Sequence, residues 1–296
     1  MASFSEIEQQ VNAMSAQGAV ALDLVRRQSI QRIAKITKRN VIAYYSAFIT
    51  RRVDGVEIND MDVNGFMNVV HGMDRKLGLD LLLHTPGGGI TATERIVQYL
   101  KELFKGDIRC IVPQMAMSAG TMTACAAREI IMGRQSCLGP IDPQYYGVPC
   151  HGVVEEFEKA AAEIKTDPSR MGVWQPVIQK YKPTFLGECQ KAIELSERLV
   201  DEWLRTGMFK DDSQAKKKAQ TIVKWLGSHK NTKTHDRHIS AADAKAIGLN
   251  VRMLEDDQDL QDAVLSAHHC YMMTFSRVKV LKIFESSHGR QFAMNG

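Results

Sequence analysis

Apolar positions along the chain fall into two kinds of run: long stretches with helical spacing, and short solid blocks. From residue 5 to residue 37, Ile7, Val11, Met14, Val20, Leu22, Val25, Ile30, Ile33 and Ile36 recur at helical intervals, with a break near Gly18. This predicts an amphipathic helical arm, which either packs on the core or serves as an oligomerisation or adaptor surface. Residues 40–49 are β-branched and aromatic and predict a strand, with a turn at 51–55. Asp60 is placed to cap a helix running through Met61, Phe66, Val69, Val70 and Met73.

The blocks at residues 79–83 and Ile108–Val112 are short enough to be buried strands. Each gives way to a helical pattern: Ala92, Ile96, Val97 and Leu100 after the first, residues 122–127 after the second. Glu129–Met132 predicts another strand, and residues 136–143 a tight turn beyond it. Strand, turn and helix in alternation predict an α/β fold, with the turns at the carboxyl ends of neighbouring parallel strands, where open α/β sheets keep their sites.

Further along, residues 153–165 form a charged helical stretch, and Cys189, Ala192, Leu195 and Leu199 mark another helix. Asp211 and Asp212 ahead of three lysines predict a helix start with a solvated face. Ser240 and Asp243 form a capping box for residues 241–247, ended by Gly248. The last forty residues carry an apolar, helix-like face (Val264, Phe275, Val278, Leu281, Ile283, Phe284), read either as a subunit contact or as a membrane-surface helix.

Composition narrows the class. With 296 residues and 44% apolar content the chain can bury one full α/β core. A net charge of +4 without a long basic run argues against nucleic acid as the main partner. The six cysteines show no metal-ligand spacing and look like small core residues of a reducing compartment. The N-terminus has no signal-peptide pattern, and no apolar stretch approaches the roughly 18 residues of a membrane span, so a cytoplasmic location is expected. No Walker A, zinc or Rossmann motif occurs, and no cofactor or metal is expected.

Candidate chemistry concentrates in two turns. One is His84-Thr85-Pro86-Gly87-Gly88-Gly89-Ile90-Thr91-Ala92; the other is Gln114-Met115-Ala116-Met117-Ser118-Ala119-Gly120-Thr121. Three successive glycines free the backbone to present an N–H unshielded by side chains. Ser118 sits where a strand gives way to a helix, among small residues. A serine hydroxyl beside the N–H groups of Gly88 and Ala119 is the minimum equipment for acyl transfer through a tetrahedral oxyanion. A phosphate-binding glycine turn plus a serine N-cap is the competing reading of the same residues. His84 is either a base within reach of Ser118 or a strand-end histidine tied to backbone.

These two turns, with Ser136-Cys137-Leu138-Gly139-Pro140-Ile141-Asp142-Pro143, resemble the Clp protease/crotonase superfamily, more narrowly the signal peptide peptidase A clan, and within it the bacterial serine dehydrogenase proteinase group. The resemblance runs from about residue 38 to about residue 256. It implies a ClpP/crotonase-like fold of repeated ββα units with helical N- and C-terminal additions. The corresponding division is a helical arm at 1–38, a serine peptidase domain at 39–256 and a helical extension at 257–296. It also implies Ser118 as nucleophile, Gly88 and Ala119 as oxyanion hole, and a peptide or protein substrate bound as an added strand along Gly87, Gly89 and Ile90. A homo-oligomer, as a ring or stacked trimers, is implied as well.

The general base departs from the family pattern. The position corresponding to the Clp histidine is Ile141, so the serine–histidine–aspartate triad is broken at its middle member. The peptidase A clan uses a lysine instead, from a segment just before a helix. Lys182, ahead of Pro183, is the first candidate here and Lys180 the second; such a lysine must be buried and largely neutral. Residues 234–241 resemble the Clp run that carries the third triad member, and Asp236 takes that place. It orients His235 or His238, supports a catalytic lysine, or pairs with Arg237; His235 is badly placed for a linear bond to its own neighbour. The resulting expectation is a serine endopeptidase with a Ser–Lys dyad. The competing expectations are an inactive ClpP-like scaffold or peptide-binding module, and a crotonase-type acyl-CoA enzyme, which would use carboxylates near the hole.

Overall fold

The computed structural model describes residues 3–14, 19–145 and 147–296. The expected break at Gly18 lies outside them. The chain begins with helices α1 (Phe4–Ala13) and α2 (Ala19–Thr37), then β1 (Asn40–Ser46), α3 (Asp62–Val69), β2 (Leu79–His84), α4 (Ile90–Phe104) and β3 (Ile108–Val112). β4 (Met115–Ala116), α5 (Ala119–Cys125), β5 (Glu129–Met132) and β6 (Cys137–Leu138) follow closely. A hairpin of β7 (Gln144–Tyr145) and β8 (Val148–Pro149) leads into α6 (Cys150–Thr166), α7 (Met171–Ile178), α8 (Phe185–Thr206), α9 (Ala215–Gly227) and α10 (His229–Thr232). β9 (Ile239–Ser240), α11 (Ala241–Ala246), β10 (Val251–Met253), α12 (Gln258–Arg277), β11 (Val280–Ser286) and β12 (Gln291–Asn295) complete it.

The result is a mixed α/β fold. The main sheet has the order β10-β5-β3-β2-β1-β11-β12, parallel from β10 to β1 and antiparallel beyond. Its inner strands are buried on both faces, which is why they read as solid apolar blocks. Alternation sorts their side chains. Ile42, Tyr44, Leu81 and Leu83 join a core with α3, α4, α5, α8 and α9, whereas Val41, Ala43, Tyr45 and Leu82 pack against α2 and α12. Each buried aliphatic side chain contributes about 1.5–3 kcal/mol.

The N-terminal arm packs on the core through Ile30 and Ile33 of α2. Arg26 of α2 is buried and donates to Glu285 of β11 and to Thr274 of α12 at 2.9 Å, while Tyr271 donates to Glu285 at 2.7 Å. The chain's two ends are thereby fastened to each other and to the sheet.

The C-terminal extension is helical only as far as Arg277. Val280–Ser286 and Gln291–Asn295 are strands that add to the β1 edge of the main sheet. Leu281, Ile283 and Phe284 therefore belong to a strand, not to the helical face assigned from spacing. Other differences are local. The helix expected to be capped by Asp60 starts at Asp62, and the segment ahead of α8 is itself helical in Met171–Ile178. The capping box at Ser240 and Asp243 forms as expected, and the six cysteines are buried and unbridged.

Candidate active site

A second, small sheet of order β4-β6-β9 builds the site. β4 pairs parallel with β6 (Met115 with Cys137, Ala116 with Leu138), and β9 pairs antiparallel with β6 (Ser240 with Cys137, Ile239 with Leu138). Ser118 follows β4 by two residues, Asp142 follows β6, and His235 precedes β9. Three segments remote in sequence thus deliver three polar side chains to one end of one small sheet.

Ser118 is the turn residue between β4 and α5. It is held at φ 50°, ψ −116°, a conformation L-residues rarely adopt. Such strain costs on the order of 1–3 kcal/mol and persists only where the surroundings enforce it. Here Met117 donates to Thr85 O at 3.0 Å and Thr85 to Met115 O at 3.1 Å, fixing β4 against the glycine turn. The Thr121 hydroxyl donates to Ala116 O at 2.8 Å and accepts from the Gly139 N–H at 2.9 Å, locking the start of α5 to the turn after β6.

The glycine turn lies directly against the serine. Gly87 has φ 95°, and a Cβ there would sit 2.8 Å from Ser118 Cβ and 2.9 Å from Ala119 N. Gly88 has φ 152°, and a Cβ there would meet Ile58 N and O at 2.4 Å. Ile58 donates to Gly87 O at 2.7 Å and accepts from the Gly89 N–H at 2.9 Å. That consumes the ladder groups of Gly87 and Gly89 on one edge and leaves the Gly88 N–H to the other. The Ala119 N–H, first in its helix, has no intrahelical acceptor. Among the described residues no backbone acceptor takes either N–H.

The serine opens on a cavity of about 660 Å³ whose lining includes Gly87, Gly88, Gly89, Ile90, Met122, Ile141, Leu195 and His235. His235 Nδ1 is 2.9 Å from Asp142 Oδ1; the carboxyl is wholly buried and the imidazole 24% exposed. Asp142 Oδ2 has no hydrogen-bond partner among the described residues, so the carboxylate's hydrogen bond there is to the imidazole. The turn carrying Asp142 is pinned by the Ile141 N–H to Leu226 O at 3.1 Å and by the Ser196 hydroxyl to Ile141 O at 2.8 Å. Ser118 and the Asp142-bound His235 thus face one cavity together with the glycine turn.

The remaining predicted residues lie elsewhere. Lys180 and Lys182 are exposed on the segment between α7 and α8, and neither lines the cavity. The reason is local: α7 buries none of its residues and carries this segment out toward solvent. Asp236 is fully exposed, its carboxyl held below the usual range by hydrogen bonds from the Thr234 side chain and its own backbone. His84 points away from Ser118, because β2 alternation sends it to the α2–α12 face. There it stacks on Tyr45 at 5.2 Å between ring centroids, contacts Gln114 Oε1 at 3.3 Å, and is pushed down to about 4 by burial. The Asp142–His235 pair is not evident from sequence spacing. Its one sequence signal is adjacency, since Asp142 follows Ile141 and His235 precedes Asp236, the two positions where the Clp pattern places its histidine and aspartate.

Among the described residues no group of three or more His, Cys, Asp or Glu side chains is arranged to hold a metal ion, and no helix is long and apolar enough to cross a membrane.

Comparison with known proteins gives the family. The model of the ClpP-like SDH-type serine proteinase family matches residues 5–266. An uncharacterized protein of Methanocaldococcus jannaschii is 32% identical over 173 residues, covering 58% of this chain and 51% of its own length. Another from the same organism is 30% identical over 190 residues, covering 64% of this chain and 59% of its own. The chain thus spans a little over half the length of these relatives. No solved structure matches it. From residue 5 to residue 266, nearly end to end, the chain belongs to the ClpP-like SDH-type serine proteinase family.

Proposed function

We propose that this protein is a serine peptidase in which Ser118 is the nucleophile, His235 the general base and Asp142 the group that orients it. The observation that carries the reading is the shared cavity: a strained serine, the Gly88 turn and a histidine hydrogen-bonded to a buried carboxylate line one space. Asp142 accepts from His235 Nδ1–H, leaving Nε2 to take the Ser118 proton as Oγ adds to the scissile carbonyl carbon. The oxyanion rests on the Gly88 and Ala119 N–H groups. Collapse breaks the C–N bond, and the leaving amine takes the proton from His235. Water then gives a proton to His235 and adds to the acyl carbon. A second oxyanion expels Ser118 Oγ, which recovers its proton.

His235 is placed ahead of Lys182 because it lines the cavity and Lys182 does not. Peptide would run beside Gly88 and Ile90. Ile58 already fills one edge of the glycine turn, so an added strand has only the opposite edge to pair with. Apolar Met122, Ile141, Ala192 and Leu195 in the lining suit an apolar substrate side chain. A homo-oligomer is part of the proposal, supported by α7, which leaves Met171 50% and Val173 57% exposed. Hydrolysis of a fluorogenic peptide library by the wild-type protein but not by Ser118→Ala tests the reading. Equal hydrolysis by both rules it out.

Glu57 lines the cavity and is the one observation favouring the acyl-CoA reading, which needs a carboxylate near the hole. Turnover of acyl-CoA thioesters that is lost in Glu57→Gln but kept in Ser118→Ala would select it.

A further inference from the structure

Lys282 and Asp62 are buried charges with no part in the hydrolytic steps. Their side chains are wholly excluded from solvent, with Nζ 2.6 Å from Oδ1. Desolvation of two ions offsets much of their mutual attraction, so such a pair is weak evidence for stability. Two of its other contacts fall on one short segment, residues 57–59, and a third comes from Tyr44 of β1. Lys282 Nζ donates to Glu57 O at 2.6 Å. Asp62 Oδ2 accepts from the Asn59 N–H at 3.1 Å and from the Tyr44 hydroxyl at 2.8 Å. The pair therefore grips the chain on both sides of Ile58, by the carbonyl before it and the N–H after it.

Ile58 is the residue that pairs with the glycine turn, through Gly87 O and the Gly89 N–H. A Cβ on Gly88 would lie 2.4 Å from its N and O, so the contact leaves no slack. Where Ile58 sits decides where the Gly88 N–H points. We propose that the Lys282–Asp62 pair is a positioning device for the oxyanion hole, holding residues 57–59 so that Ile58 sets the Gly88 N–H beside that of Ala119. Lys282 comes from β11, so the strand pair added at the C-terminal end of the chain reaches the reaction centre through one buried side chain. The inference rests on the serine peptidase reading.

Asp62→Asn combined with Lys282→Met removes both charges at similar volume and strands neither ion. A purely structural pair affects unfolding; a positioning pair changes transition-state binding in protein that is still folded. In the folded double variant, KM for a fluorogenic peptide should stay within about twofold while kcat falls roughly 10- to 100-fold. Affinity for a peptide aldehyde, which Ser118 converts to a hemiacetal needing the hole, should fall by a similar factor. Tyr44→Phe keeps both charges and removes one tether, and should lower kcat about threefold. Wild-type kcat and aldehyde affinity in either folded variant overturn the inference. A wild-type protein without Ser118-dependent hydrolysis overturns the peptidase reading itself, so the two failures are distinguishable.

Discussion

His235 Nδ1 and Asp142 Oδ1 lie 2.9 Å apart although 93 residues separate them in the chain, and the contact exists because β9 pairs with β6. In the proposed mechanism this contact orients the imidazole so that Nε2 faces the serine. His235→Ala and Asp142→Asn are each expected to lower kcat for peptide hydrolysis by about 10³- to 10⁴-fold with the fold retained. Lys182→Ala and Asp236→Ala are expected to stay within about threefold of wild type, since neither residue lines the cavity. Steady-state kinetics on the four variants, with circular dichroism to confirm folding, check this.

The backbone of Ser118 makes a separate prediction about stability. At φ 50° an alanine keeps the strain and a glycine relieves it. Ser118→Gly is expected to be about 1 kcal/mol more stable than Ser118→Ala, both being inactive. Urea titrations of the two variants provide the comparison; equal midpoints would mean that the turn is not strained.

Removing one partner of the pair that ties α2 to β11 should be costly. Glu285→Ala leaves the buried Arg26 with the part-exposed Asp23, at 2.7 Å, in place of its buried counter-charge and is expected to lose about 3–5 kcal/mol. Arg32→Ala, which breaks an exposed pair with Asp259, is expected to lose less than about 1 kcal/mol. Chemical denaturation distinguishes the two.

Acid should destabilise the fold through His84. Burial holds its imidazole near 4, against about 6.5 in an unfolded chain, so between those values the unfolded state binds more protons. Stability present at neutral pH is therefore lost as pH falls from about 6.5 to 4, by about 3 kcal/mol from this one group. His268, also pushed down by burial and by His84 beside it, acts in the same direction. His84→Gln should flatten the fall in denaturation midpoint across that window; an unchanged slope would assign it to other groups.

The glycine turn, the serine and its two N–H groups were legible in the sequence because their chemistry is local. A strand, a flexible turn and a helix start follow one another within a few residues, and the capping box at Ser240 was readable for the same reason. The proposed base was not. It depends on the register of β4, β6 and β9, a set of long-range pairings that leaves no mark on the spacing of Asp142 or His235. The family pattern points to Ile141 and Asp236, each one residue away from a member of the pair. His84 looked close to Ser118 along the chain, but strand alternation turns it to the opposite face. Leu281, Ile283 and Phe284 fit either a strand or a helical face, and pairing with β1 makes them a strand.

The most direct test of the account is covalent labelling of the purified protein with a fluorophosphonate probe, with the labelled peptide mapped by mass spectrometry. Wild type and Lys182→Ala should label at Ser118 at similar rates, while His235→Ala labels at least roughly 100-fold more slowly and Ser118→Ala not at all. Undiminished labelling in His235→Ala, with loss in Lys182→Ala, would contradict the Ser118–His235–Asp142 assignment.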